Sequence, residues 1–180
     1  DGAMAVLTVA EGDATLLMGE YLVHTGKMLN FAFDLPRMLM MDQRQFNNAP
    51  EAVQQMMLFP YLEGMNFFQT LGGRTRQHPD RRVGPGESTA WRNDVFADPP
   101  ETTEQIIHPE KYLARELPEK VRSLKPVEGV GDEVRFENVL GEFGIRMMLV
   151  TMLGQVRASQ VAEGWNGDRV LVTADADGGR

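Results

Sequence analysis

The side chains of this 180-residue chain best suited to chemistry are a few acids and three histidines, His24, His78 and His108. The first constellation is Glu11-Gly12-Asp13-Ala14, in a stretch that reads as helix. Glu11 falls between Leu7, four residues before it, and Ala14 and Met18 after it, so it borders an apolar stripe. A carboxylate there must be paired, protonated or bound to a metal, because an isolated buried charge is very costly. Gly12 in mid-helix costs up to about 1 kcal/mol relative to Ala, and close approach of another helix or of a ligand is the usual compensation. The plainer alternative is a surface carboxylate at the stripe edge beside a chance glycine.

The second candidate is His108, held between a helix end and Pro109. An imidazolium there gains from the helix dipole as a cap. Its sharper role is that of a metal ligand or a stabiliser of developing charge. His24 follows Glu20 by four residues on one helix face, which fits a surface ion pair or half of a metal site. Glu142 falls in the first turn of a late helix, where the macrodipole favours an acid. His78 sits in an arginine-containing loop and reads as solvated. No nucleophile elbow, P-loop, dinucleotide loop or EF-hand pattern occurs, and His-Glu-x-x-His is missing. Three well-separated histidines do not spell a three-ligand catalytic zinc site.

The elements that must position these residues read as mostly helical. From Met4 to about His24, Leu7, Ala10, Ala14, Leu17 and Tyr21 recur at three- and four-residue spacing and predict an amphipathic helix with that face buried. Further helices are predicted over about 36–46 and 51–71, the latter with Met57, Tyr61, Gly64, Phe68 and Leu71 on one face and a kink caused by Pro60. Residues 72–87 read as an exposed loop rich in Gly, Pro and Arg. A short helix follows near Trp91–Phe96. Thr102 with Gln105 fits a capping box, and Pro109 ends that helix at His108. Residues 127–137 hold a possible short strand. Leu140, Phe143, Met147 and Val150 predict the buried face of a helix over about 139–153, continuing to Glu163. Asn166-Gly167 is a turn signal before a strand over 169–173, which must find a partner strand.

Composition narrows the function. The net charge of −8 argues against a nucleic-acid partner, since phosphate binding needs clustered Lys and Arg. Arg74, Arg76, Arg81 and Arg82 form a basic group inside a loop and read as solvated. With no cysteine, disulfides and thiolate metal sites are excluded. No apolar run reaches the length of a membrane span, and the sequence assigns no compartment. Twelve methionines suit soft packing between helices or, alternatively, a methionine-rich binding groove.

Five phrases resemble a family of bacterial zinc metallopeptidases: AEGDATLLM at 10–18, LFPYLEGMNFFQTL at 58–71, ADPPETTEQIIHPEKYL at 97–113, VLGEFGIRMML at 139–149 and AEGWNGDRVLV at 162–172. The resemblance implies an upstream His-Glu-x-x-His helix and a gluzincin-like zinc whose third ligand is Glu11, with His108 and Tyr112 near the cleft as catalytic candidates. Peptides or proteins would be the substrate of the intact family member. Because the His-Glu-x-x-His helix is missing here, the expectation is a fragment of a longer protein. It would form a single domain over 1–180, with zinc bound by the intact protein, none by this chain unaided, and no unaided activity. Association through the face left by missing segments would follow. The expected fold is mainly α, a multi-helix domain with a small β element near the C-terminus. Two rivals stay open: a non-catalytic binding or structural domain with Glu11 paired to an arginine or to backbone amides, and a self-contained metal site from Glu11, His108 and His24.

Overall fold

The computed structural model describes residues 1–27, 43–76, 90–122 and 133–174. Seven helices and two strands follow one another among them: α1 (Gly2–His24), α2 (Gln43–Asn48), α3 (Glu51–Arg76), α4 (Ala90–Ala97), α5 (Thr103–Ile107), α6 (Pro109–Ala114), β1 (Glu133–Asn138), α7 (Gly141–Ala162) and β2 (Val170–Ala174). The fold is therefore mainly α, with one small β element near the C-terminus.

The long helices α1 and α3 form the most extensive interface. Their crossing is set by two glycines. A Cβ added to Gly12 would lie 2.3 Å from the carbonyl carbon of Gly64, and one added to Gly64 would lie 2.3 Å from the backbone oxygen of Thr8. Only backbones without side chains can approach so closely. This contact turns α1 away from the orientation predicted from its large apolar residues. The buried face is Ala5, Thr8, Val9 and Gly12, whereas Leu7, Ala10, Ala14, Leu17 and Tyr21 are all exposed. Close approach at a small-residue face has overridden the hydrophobic stripe.

Below this crossing lies the core: Ala5 and Val9 of α1, Phe59, Phe67, Phe68 and Leu71 of α3, Val95 of α4, Ile106 of α5, Tyr112 of α6, and Phe143 and Met147 of α7. Phe59 stacks on Phe143 with ring centroids 3.8 Å apart, which ties α7 to α3. Phe67 meets Phe68 and Tyr112 edge to face. The predicted α7 face is found at Phe143, Met147 and Val150. On α3, Phe68 and Leu71 are buried as expected but Met57 is exposed.

Pro60 lies inside α3 without ending it. That helix also runs to Arg76, so Gly72 and Gly73 belong to it and not to a loop. Trp91 explains Gly72: a Cβ there would sit 3.1 Å from the indole ring. Residues 77–87 of the predicted loop, 36–42 of the predicted second helix and 127–132 of the possible short strand lie outside the described residues. The strand that needed a partner finds it in the chain itself. β2 pairs antiparallel with β1, Glu137 opposite Leu171, with an irregularity between Val134 and Phe136. Within α7, Gly154 adopts φ 72°, ψ 164°, a conformation open to glycine that divides the helix into two segments.

Candidate functional site

Three acids project from α1, and the fold treats them differently. Asp13 and Glu20 both reach Arg92, the second residue after Ala90 at the start of α4, at 3.3 Å and 2.7 Å. Arg92 is buried, so these two carboxylates neutralise a guanidinium that would otherwise be stranded. Glu11 faces elsewhere. Its backbone oxygen accepts from the Thr15 hydroxyl at 2.7 Å, but its carboxylate makes no hydrogen bond or ion pair among the described residues. It lines a cavity of about 380 Å³ with Leu7, Phe46 of α2, and Met56, Leu58, Pro60 and neighbours on α3. A second cavity of about 340 Å³ lies between Asp1, Trp165 and Arg169. Part of its polar lining is satisfied internally: both Asp168 oxygens accept from the Leu140 amide, and Arg169 donates to the Val121 carbonyl and to Glu137, whereas Asp1 Oδ2 and Trp165 Nε1 are buried without a hydrogen-bond partner among the described residues.

His108 belongs to a different cluster, and local sequence explains its place. Thr102 caps α5 by accepting from the Gln105 amide at 3.2 Å, while the Gln105 side chain accepts from the Glu101 amide at 2.8 Å. This resembles a capping box reaching one residue further back. Pro109 then forces His108 out of the α region, to φ −120°, ψ 79°, and starts α6 as its first residue. The turn aims the imidazole at α7. Its Nε2 lies 3.1 Å and 3.0 Å from the two carboxylate oxygens of Glu142, and its Nδ1 lies 3.7 Å from Glu110.

Beside this pair sits another that sequence reading missed. Glu104 is buried, and Lys111 reaches it at 2.5 Å and Glu116 at 3.2 Å. The signal was faint: Glu104 occupies a helix first turn, where an acid is unremarkable, and Pro109 breaks the periodicity that would relate it to Lys111. Tyr112, carried by the same short helix, is buried with its ring edge-on to Phe67. Its hydroxyl donates to the Asp98 carbonyl at 2.9 Å, and burial raises its pKa above 10.0.

Burial also raises the pKa of Glu142 above 4.5; the hydrogen bond and charge of His108, with the charge of Lys111, oppose the rise, and the charge of Glu104 adds to it. A raised carboxyl pKa means the fold favours the protonated form. The contribution of Glu142 to stability is therefore fullest below pH 4.5 and declines as pH rises through its folded value. Urea unfolding across that range should show the stability of the protein falling relative to Glu142→Gln as pH rises. The fall should steepen in a His108→Gln background, where the opposing interaction is gone. A difference independent of pH in both backgrounds would contradict it.

The structure thus does not gather the sequence candidates into one polar cluster. Glu11 lines the α1–α3 cavity, whereas His108 and Tyr112 belong to the α5–α6–α7 corner. His24 ends α1 thirteen residues beyond Glu11, about 20 Å along the helix at 1.5 Å per residue. Among the described residues no group of three or more His, Asp or Glu side chains is placed to hold a metal ion. Glu11 offers one carboxylate, and His108 Nε2 is already held by Glu142, so the described residues do not by themselves fit a zinc ion.

Fold and site together define a mainly helical chain in which Glu11, beside an apolar cavity, has no side-chain partner among the described residues. No family model matches the chain, and no curated protein or solved structure matches it. No helix among the described residues is long and apolar enough to cross a membrane.

Proposed function

We propose that this chain is the portion of a zinc-metallopeptidase-like protein that supplies one carboxylate ligand, Glu11, together with part of the substrate cleft, and that it has no activity by itself. The observation that carries this reading is the contrast along α1. Asp13 and Glu20 are committed to Arg92, while Glu11, at a cavity, has no partner among the described residues. The rival reading of a metal-free structural domain needs Glu11 paired to an arginine or to backbone amides; among the described residues Arg92 pairs with Asp13 and Glu20 instead. The remaining ligands would come from the upstream His-Glu-x-x-His helix that the resemblance implies. The exposed apolar face of α1, with Leu7, Leu17 and Tyr21, is the surface on which this reading seats that helix; bare patches of this kind favour association. His108 and Tyr112 then serve as positioning residues. Their polar atoms hold the α5–α6 turn against α7 and against Asp98.

Zinc stoichiometry by equilibrium dialysis tests the proposal. The intact protein bearing the upstream helix should hold one zinc, and Glu11→Ala should lose it. Residues 1–180 should hold no specific zinc. Tight binding to residues 1–180, or undiminished binding after Glu11→Ala, would sink the reading.

A further inference from the structure

Asn166 and Gly167, the turn pair that follows α7, take part in none of the clusters described above. Of the asparagines in the chain, only Asn166 precedes a glycine. The following residue matters because its amide nitrogen is the nucleophile when an asparagine side chain cyclises onto the main chain. A glycine leaves that nitrogen unshielded, since it carries no Cβ. The fold itself requires the glycine here. Gly167 has φ 117°, and a Cβ added to it would stand 2.3 Å from the Glu119 carbonyl oxygen. The reactive dipeptide is thus tied to the geometry of the turn.

The surroundings leave the reaction free to run. Asn166 is exposed and lies between α7 and β2, outside any helix or strand. Its backbone oxygen accepts from the Glu119 amide at 3.0 Å, and its side-chain oxygen only approaches the same amide, at 3.4 Å. Neither Asn166 Nδ2, the leaving group, nor the Gly167 amide nitrogen, the nucleophile, has a hydrogen-bond partner among the described residues. Other asparagines are placed differently. Asn66 and Asn93 lie inside α3 and α4. Asn138 accepts from the Val139 amide at 2.8 Å, so that nitrogen is engaged and stands beside a stiff β-branched side chain.

We propose that Asn166 deamidates spontaneously in the folded protein, with water as the only co-reactant. The Gly167 amide nitrogen bonds to Asn166 Cγ as the Cγ–Nδ2 bond breaks. Ammonia leaves with the proton that the Gly167 nitrogen gives up, and a cyclic succinimide remains. Water then opens either C–N bond of the ring, giving aspartate or isoaspartate at position 166 and one added negative charge. The isoaspartyl product lengthens the main chain by one methylene group. It does so where the Asn166 oxygen meets the Glu119 amide and both Asp168 oxygens meet the Leu140 amide ahead of α7. An extra backbone atom there moves these acceptors off their donors. The aspartyl product keeps the chain length and the contacts. None of this depends on the reading of Glu11 as a zinc ligand.

Incubation of the chain in mildly alkaline buffer, followed by peptide mapping and amide hydrogen exchange, tests the proposal. Aspartate and isoaspartate should accumulate at position 166 faster than at any other asparagine, with ammonia released in equal amount. Asn166→Gln should lose the conversion, because glutamine must close a larger ring. In the isoaspartyl fraction the Glu119 and Leu140 amides should lose their protection. Asn166→Asp, which adds the charge without lengthening the chain, should retain it. The same protein unfolded in urea is the reference for intrinsic reactivity. Conversion in urea with Asn166 left intact in the folded protein would show that the turn shields the site and would overturn the proposal. Faster conversion at another asparagine would do the same, and so would unchanged protection of both amides in the isoaspartyl fraction.

Discussion

Replacing Gly64 with alanine should destabilise the fold by about 3 kcal/mol, the upper part of the usual range for overpacking a close contact. The added Cβ would stand 2.3 Å from Thr8 O and 2.7 Å from the Gly12 Cα. Those neighbours are backbone, so nothing flexible can move aside, and the two longest core helices must separate. Gly12→Ala meets the same obstacle from the other side, 2.4 Å from the Gly64 Cα. A chain of this size loses about 2–4 °C in melting temperature per kcal/mol, so each variant should melt roughly 6–12 °C lower. The double variant should cost less than the sum of the two, because one substitution already forces the helices apart. Gly19→Ala on the same helix meets nothing within 4 Å and should stabilise by up to about 1 kcal/mol through helix propensity. Calorimetry on the four variants and the parent protein checks the pattern. Equal behaviour of Gly12 and Gly19 would mean that α1 and α3 do not cross at this pair.

Lys111→Met should cost nearly as much. It leaves the carboxylate of Glu104, 2% exposed, without its cation, and breaking a buried pair from one side costs about 3–5 kcal/mol. Because the Lys111 side chain is itself 26% exposed, the lower end, about 3 kcal/mol, is expected. Adding Glu104→Gln should recover more than half of the loss, since the stranded charge is then gone. Burial pulls the Lys111 pKa down, but hydrogen bonds and charges from Glu104 and Glu116 outweigh it and leave it raised above 10.5. The stabilisation from the pair is therefore complete below pH 10.5 and is lost as pH rises through the folded value. Denaturant titrations of the two variants and the parent protein decide the matter. No recovery in the double variant would show that the lysine stem, and not its charge, supplies the stability.

Why these two interactions matter most also explains what the sequence could and could not reveal. Local signals were legible. Thr102 and Gln105 announced the start of α5, Pro109 its end, and Phe143, Met147 and Val150 the buried face of α7, because each is decided within one or two turns of helix. The face of α1 was not legible. Its apolar spacing pointed to Leu7, Leu17 and Tyr21, yet the buried face is Ala5, Thr8, Val9 and Gly12. That choice depends on Gly64, some fifty residues away, and single-helix periodicity carries no information about it. Gly12 did hint at a close approach, without saying to what.

The candidate site divided in the same manner. Glu11 was singled out because an acid at a stripe edge demands an explanation, and its isolation from Arg92 is visible only once α4 is placed. His108 was singled out for its position before Pro109, but its partner Glu142 lies thirty-four residues on, where an acid in a first helical turn looked ordinary. Glu104 and Lys111 escaped notice for a related reason. Each suits the solvated surface of a short helix, and the burial of Glu104 comes with the core that Phe67, Ile106 and Tyr112 build.

The central claim, that Glu11 reaches a zinc ion, is tested most directly by zinc-edge X-ray absorption on the Glu11→Cys variant of the intact protein. A thiolate replacing the carboxylate would enter the metal's shell and appear as one sulfur scatterer at about 2.3 Å, against the roughly 2.0–2.2 Å of nitrogen and oxygen ligands. That sulfur signal, absent from the parent protein, is the predicted result. A variant that binds one zinc with an unchanged shell of nitrogen and oxygen would place Glu11 outside the site and contradict the account.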